Sequence, residues 1–239
     1  MSPPALPASI WQRELIEFEQ RRRALVVKLL FPLLIALPLI YSRAAGVYAA
    51  MALTMLTATV GALGSGAVLS RERAIGLNVR YRLLPRRPAA VLLERVAAGA
   101  AIDLVQMLVV LVLIAFRQPT RLAWLPAILL AAAGVLAACN VLGAWASSLT
   151  RSPGEVMLAV LLPLLPALYL SGVFTAPAAP LLAAISRLLP FTYLHDALLG
   201  ALTGRPQLTP WADAAAGIVF LAVSAALTGL LARRVLERD

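Results

Sequence analysis

Long apolar stretches alternate with short polar segments along most of the chain. A helix that crosses the roughly 30 Å hydrocarbon core of a bilayer needs about 20 mainly apolar residues. Stretches of about this length occur at residues 24–42, 46–69, 96–116, 123–148, 156–174 and 211–232. The pattern therefore predicts an all-α integral membrane protein with six transmembrane helices, spans one to six, which form one domain over residues 24–239.

Residues 1–23 break this pattern in a different way. Ser9 is followed three residues later by Gln12, as in a capping box, and the apolar residues Trp11, Leu15 and Phe18 fall on one helical face. This segment is predicted to be an N-terminal amphipathic interfacial helix on the membrane surface. A short solvated extension is the alternative, and the glutamates of the segment disfavour a cleaved signal peptide.

Residues 175–210 contain two apolar pieces, 181–189 and 191–202, that are each too short to cross a membrane. Prolines at the ends of these pieces predict corners, so we interpret the region as an outer re-entrant or interfacial hairpin between spans five and six. The hairpin carries Pro190, Tyr193, His195 and Asp196. We expect its polar residues to be solvated at the membrane interface, and contact with a substrate is the alternative.

Composition and charge support a membrane protein and orient it. The chain is 62% hydrophobic and 13% charged, with a mean hydropathy of +0.89. Residues 70–95 form a basic loop with seven arginines and two glutamates, which marks the cytoplasmic side. Both termini then face the cytoplasm, and 16 of the 21 basic residues lie on that side of a prokaryotic cytoplasmic membrane. The net charge of +10 does not indicate nucleic-acid binding, because the arginines cluster at span ends.

A few polar and small residues lie inside the spans. Asp103 and Gln106 lie in span three and Asn140 lies in span four. Burying an unpaired carboxylate is costly, so we expect Asp103 to pair structurally near the cytoplasmic boundary, with substrate contact as the alternative. In span two, small residues at one-turn spacing predict close helix packing or a subunit interface; they include Gly61, Gly64 and Ser65.

Several functions lack the residues that they need. The chain has one lysine, Lys28, and no glycine-rich loop before it, so it lacks a Walker A motif. The chain has one histidine, His195, and one cysteine, Cys139, a composition that weighs against a metal site and excludes an intrachain disulfide. Ser65 and His195 are the tempting pair for an intramembrane serine protease, but they are predicted in a packing face and in the outer hairpin.

Three features together resemble a known family. A leading amphipathic helix precedes span one. Glu72, Gly76 and Leu84-Pro85 lie between spans two and three, and the segment 170–174, Leu-Ser-Gly-Val-Phe, precedes the 189–193 segment, Leu-Pro-Phe-Thr-Tyr, and Asp196. In this order the chain resembles an ABC-2 type (type V) permease, the membrane subunit of an ATP-binding cassette (ABC) exporter.

The resemblance implies a function for several regions. The interval from Arg71 to Pro85 would be the element that couples to the ATPase, with Arg71, Glu72, Arg73, Gly76, Leu84 and Pro85 as its residues. Two copies of a separate ATPase subunit, which hold ATP and Mg, would drive a homodimer, or a heterodimer with a related permease, and this chain would need no cofactor. The substrate would be a drug, lipid or glycan, on a path that includes Asp103, Gln106, Asn140, Tyr169 and Phe174. A non-transporting scaffold or regulatory subunit is the alternative.

Overall fold

The computed structural model describes residues 22–41, 46–74, 76, 86–117, 119–150 and 152–237. These residues are helical or lie in turns, and no strand occurs among them. The helices are α1 (Arg22–Tyr41), α2 (Gly46–Ala74), α3 (Pro88–Arg117), α4 (Leu125–Leu149), α5 (Pro153–Leu170), α6 (Pro180–Ser186), α7 (Pro190–Thr203) and α8 (Pro210–Glu237), with a 3-10 segment at Pro119–Trp124. The predicted interfacial helix over 1–23 lies almost entirely outside the described residues.

Four helices are long and apolar enough to cross a membrane: Gly46–Ala74, Pro88–Ile114, Leu122–Leu149 and Pro210–Leu236. They correspond to predicted spans two, three, four and six. Shorter apolar stretches lie within α1, at Leu30–Leu39, and within α5, at Gly154–Leu170. Each of these two helices contains two internal prolines. The all-α class and four spanning helices are therefore confirmed, while spans one and five stay predictions.

The interval 70–95 is helical at both of its ends, which differs from the predicted loop. Helix α2 continues to Ala74, because arginine and glutamate favour a helix as well as apolar residues do. Gly76 has φ of +73° and donates its N–H to the Arg73 carbonyl at 2.9 Å, so it ends α2 in the left-handed conformation that glycine adopts without strain. Helix α3 begins at Pro88, where a missing N–H costs nothing.

The two short apolar pieces of the predicted hairpin form α6 and α7. Proline occupies the start of each helix, and Gly204 follows α7 with φ of +69°. Helix α7 packs against α2, α4 and α8, and its Leu194, Ala197 and Leu198 are fully buried. The second piece is thus part of the bundle core rather than a peripheral loop.

Helix α4 lies at the centre of the bundle and packs against α2, α3, α5, α7 and α8. Glycines allow its backbone to approach two of these neighbours closely. A Cβ atom added at Gly143 would lie 2.8 Å from the Gly66 nitrogen of α2, and one added at Gly134 would lie 2.8 Å from the Gly217 oxygen of α8. Side chains at these crossings would push the helices apart.

The bundle has two distinct ends. Helices α2, α4 and α8 finish, and α3 begins, at one end, where an apolar cluster includes Leu69, Val91 and Val235. We call it the Arg73 end. The same three helices begin at the opposite, hairpin end, where Gly46 approaches Thr203 and Gly200 approaches Trp124.

Candidate functional site

A buried ion pair joins α2 to α3 at the Arg73 end. The Arg95 Nη2 atom lies 3.3 Å from the Glu72 Oε1 atom, and the side chains are 9% and 4% exposed. Glu72 lies in the last turn of α2 and Arg95 in the second turn of α3. Because each charge removes much of the cost of burying the other, the pair holds the two helices together where the chain leaves α2.

Arg73, the next residue, joins α2 to two more helices. Its Nη1 donates to the Ser147 carbonyl of α4, and its Nη2 donates to the Val235 carbonyl of α8 at 3.1 Å. Both carbonyls lie among the last four of their helices, which have no partner within the helix. A cation at this place also complements the negative end of each helix dipole.

The exposed groups of the Arg73 end lie just beyond these contacts. Arg71 and Gly76 are exposed on either side of the buried residues. Arg86, which precedes α3, is exposed and pairs with Glu94 at 3.1 Å. Leu84 and Pro85, which the sequence also assigned to coupling, lie outside the described residues.

The structure separates the predicted coupling residues into two groups. Glu72 was expected to offer its carboxylate to a soluble partner. In the structure Glu72 is only 3% exposed, and its carboxylate is directed at Arg95. The reason is that α2 remains helical past Ser70, which turns Glu72 toward α3. Sequence reasoning missed Arg95 as its partner. The available signal was an acidic residue at the end of one span and a basic residue at the start of the next.

A second polar group lies deeper in the bundle. Asn140 donates its Nδ2 to the Asp103 Oδ2 at 3.0 Å and to the Leu136 carbonyl at 2.9 Å. Ser65 donates its hydroxyl to the Asn140 carbonyl at 3.0 Å. All three helices, α2, α3 and α4, are thus connected at one level. Asp103 is 7% exposed and accepts this hydrogen bond from Asn140 inside the bundle.

A small cavity of about 40 Å³ adjoins this group, and Gly64, Gly99 and Arg95 are among its lining residues. A Cβ atom at Gly64 would lie 3.6 Å from the Asp103 Oδ1, so the missing side chain leaves room for the carboxyl group. A cavity of this size holds one or a few water molecules. The small residues of span two, including Gly61 against Leu136 and Cys139, therefore serve packing within the chain.

The remaining residues of the predicted path fall into two environments. Gln106 is 6% exposed and points into the bundle, as do Asp103 and Asn140. Tyr169 is 59% exposed, near the end of α5, and Phe174 is 38% exposed in the turn that follows. The structure therefore does not bring the five predicted path residues together on one surface.

Two polar residues of the hairpin, His195 and Asp196, are buried, which differs from the expectation that they are solvated, whereas Arg187 is exposed as expected. His195 is 8% and Asp196 is 4% exposed, because α7 packs into the bundle. Asp196 accepts the Gln207 and Leu208 N–H groups at 2.7 and 2.8 Å and so fixes the turn before α8. Tyr193 donates its hydroxyl to the Arg187 carbonyl at 2.7 Å, and Pro190 begins α7.

Burial changes the proton affinities of these two groups. It lowers the pKa of His195, with a hydrogen bond to the Ala50 backbone acting in the opposite direction. It raises the pKa of Asp196, and the two backbone N–H groups oppose this shift. A neutral imidazole is therefore favoured where α7 meets α2.

The geometry weighs against the proteolytic alternative. Ser65 bonds to Asn140 in mid-helix, whereas His195 lies near Ala50, fifteen residues earlier on α2. Fifteen helical residues span roughly 22 Å, far beyond the reach of a nucleophile and its base. Within the described part of the chain, no three His, Cys, Asp or Glu side chains are grouped as metal ligands.

The described residues form an all-helical bundle with four helices of membrane-spanning length. The polar residues described above join these helices instead of forming a catalytic group. This arrangement defines a multi-pass membrane protein. Residues 8–203 match the family model described as ABC-2 type transporter. Since this match covers more than half of the chain, the chain belongs to the ABC-2 type transporter family. No curated protein matches it.

Membership confirms the predicted family and the class of function. The chain is the membrane permease domain of an ABC-2 type transporter, a family of transport subunits without a catalytic site. ABC-2 permeases pair with ABC ATPase subunits.

Proposed function

We propose that this chain is the permease subunit of an exporter, in which two copies form a homodimer bound to two copies of a separate ATPase subunit, and that the complex moves a drug, lipid or glycan outward. The family match carries this proposal, together with the arrangement of the Arg73 end. ATP and Mg would be held by the partner ATPases. The six-span topology, with both termini and the Arg73 end in the cytoplasm, belongs to the same proposal.

The segment between α2 and α3 is the proposed docking element. Arg71 is exposed at the end of α2, and Gly76, Arg86 and Arg87 are exposed in the segment itself. The side chains of Arg71 and Arg87 are therefore accessible for charge-assisted contacts with acidic groups of a soluble subunit. Glu72 has a different task in this proposal. Its pairing with Arg95 keeps the ends of α2 and α3 together while the ATPase acts on the segment between them.

The proposed substrate path follows the exposed apolar face of α5, at the interface of the two permease copies. Met157, Leu158, Leu162, Leu165 and Tyr169 lie on this face, and each is at least 47% exposed. Two prolines, Pro163 and Pro166, interrupt the same helix and favour a bend that opens space beside it. Asp103, Gln106 and Asn140 are buried, so they support the path from inside the bundle.

Co-purification tests the docking element. The tagged chain is co-expressed with a candidate cassette ATPase subunit from the same organism, and Arg71→Glu is compared with Arg233→Glu, a substitution at an exposed arginine of α8 at the same end. Arg71→Glu should lower ATPase recovery and its stimulation by the permease, because the reversed charge repels an acidic groove. Arg233→Glu should retain most of both.

Two results would contradict the proposal. If the wild-type chain brings down no ATPase, the scaffold or regulatory alternative gains support. If Arg71→Glu recovers as much ATPase as wild type, docking occurs elsewhere on the chain.

A further inference from the structure

We propose that Arg73 is the residue that passes movement of the docking element to α4 and α8. The inference rests on the proposed function, since it needs a cassette ATPase that pushes on the segment after α2. It goes beyond that function because it names a positioning residue that touches neither ATPase nor substrate.

The contacts of Arg73 reach two helices from one side chain. Its two terminal nitrogens donate separately to the Ser147 and Val235 carbonyls, 74 and 162 residues away in sequence. The guanidinium is planar, so the two nitrogens keep a fixed separation and direction. A shift of α2 along its axis therefore changes both contacts at once.

The receiving helices are suited to move as a unit. Helices α4 and α8 pack closely along their length, and Gly134 and Gly217 bring the backbones together at their crossing. Arg73 bonds near the last turn of each helix, so it acts on both at the same level. Two packed helices held at their ends respond to displacement as a rigid body.

Arg73 is also placed close to the exposed end of α2. The Gly76 N–H donates to the Arg73 carbonyl at 2.9 Å, so only two residues separate Arg73 from the turn at Gly76. The neighbouring Glu72 holds α3 through Arg95. Adjacent residues of α2 thus connect its end to three helices, two of them through Arg73.

The test measures an ATP-dependent movement inside one chain. Nitroxide labels are placed at Met157→Cys on α5 and Leu230→Cys on α8, both exposed, with Cys139 replaced by alanine. The permease–ATPase complex is reconstituted in lipid nanodiscs. The distance between the labels is measured by pulsed electron paramagnetic resonance with and without ATP and vanadate. Helix α5 serves as the reference, because the two Arg73 hydrogen bonds reach α4 and α8.

We expect wild type to show a shift of the distance distribution on trapping. Arg73→Met should lose that shift while it still binds ATPase and traps nucleotide. Arg233→Met, the same substitution at an exposed arginine of α8, should keep the shift. Arg73→Lys retains the charge but not the two-pronged geometry, so a reduced shift is expected.

If Arg73→Met shows the full wild-type shift in the distance between the labels, the inference is overturned. Any loss of thermal stability in this variant would then reflect a structural role of Arg73 only. If Arg73→Met fails to assemble, Arg73→Lys provides the test. A distance shift as large as that of wild type in Arg73→Lys would show that the bonds from Arg73 to the two carbonyls do not transmit the movement. Failure of the wild-type chain to bind an ATPase would instead contradict the proposed function itself.

Discussion

Removing one charge of the Glu72–Arg95 pair should destabilise the bundle strongly. The substitution Glu72→Gln keeps the shape of the side chain but removes its charge. Arg95 would then remain about nine-tenths buried beside a neutral amide. Leaving a buried charge without its counter-charge is the main cost of such a change.

The expected size follows from the geometry of the pair. At 3.3 Å, two unit charges attract by roughly 5 kcal/mol with an effective dielectric constant of about 20. Burial of both ions offsets much of this attraction, so the net value of the intact pair is small. Breaking a buried pair from one side nevertheless costs about 3–5 kcal/mol, because the desolvation of the remaining ion is then uncompensated.

A second ion pair of the same chain provides the matched control. Arg86 and Glu94 lie 3.1 Å apart, but Arg86 is 55% exposed. Water screens such a pair, so Glu94→Gln should cost about 0–1 kcal/mol. The double variant Glu72→Leu with Arg95→Met should recover most of the loss seen in Glu72→Gln, because no charge stays buried.

The assay is unfolding of the purified chain in one detergent, followed by circular dichroism or by a thiol probe on buried Cys139. Wild type, the two single variants and the double variant are compared at one pH and one salt concentration. The reasoning is refuted if Glu72→Gln costs no more than Glu94→Gln. It is refuted equally if the double variant is less stable than Glu72→Gln, since the pair would then act through something other than its charges.

Three further predictions concern sidedness and the hairpin end. With the native cysteine replaced by alanine, a cysteine at Arg86 should react with an impermeant reagent only from the cytoplasm and one at Arg205 only from outside; reaction of both from one side would refute the topology. Burial lowers the pKa of His195 in the folded chain. As the pH falls past the unfolded-state pKa of about 6.5, the unfolded chain binds more protons at this residue than the folded chain does, so the free energy of unfolding should fall from about pH 7.5 to about pH 5.5. His195→Gln should lose less stability over this window, whereas the raised pKa of Asp196 acts in the opposite direction and is common to both proteins; equal losses would exclude the histidine as the cause. Asp196→Asn should cost about 1–3 kcal/mol in thermal unfolding, since one of two acceptors for backbone N–H groups is lost. Asp213→Asn should cost less, because the Asp213 oxygens accept no hydrogen bond among the described residues; the reverse order would contradict this account.

The membrane-spanning helices were predictable because hydropathy shows directly which stretches are long and apolar enough to cross the hydrocarbon core. The true helix ends were not, since hydropathy stops at the first charged residues while α2 continues through Arg71, Glu72 and Arg73. Helix propensity alone indicates that such residues extend a helix, and only the Gly76 turn ends it. The boundary of the proposed docking element is therefore set by backbone conformation more than by polarity.

The sequence indicated several residues of the candidate site but not which residues they contact. A carboxylate inside a span is costly to bury alone, which led us to expect pairing for Asp103, but the sequence did not indicate Asn140 as its partner. The partners of Arg73 lie on helices far away in sequence, and no local pattern indicates that α4 and α8 end beside it. Burial of His195 likewise depends on how α7 packs against α2, which its short apolar length does not reveal.

One surplus of arginines therefore serves two physical purposes that composition cannot separate. Exposed arginines such as Arg71 and Arg87 keep their charge in water, where the proposed topology and the proposed docking would both use them. Arg73 binds backbone carbonyls at the ends of α4 and α8, and Arg95 pairs with the buried Glu72. Contact with a soluble subunit and movement of the spans need opposite properties, accessible charge and fixed geometry. Arg71 and Arg73 lie two positions apart near the Gly76 turn, so the proposed docking element and the Arg73 contacts with α4 and α8 are close together along α2.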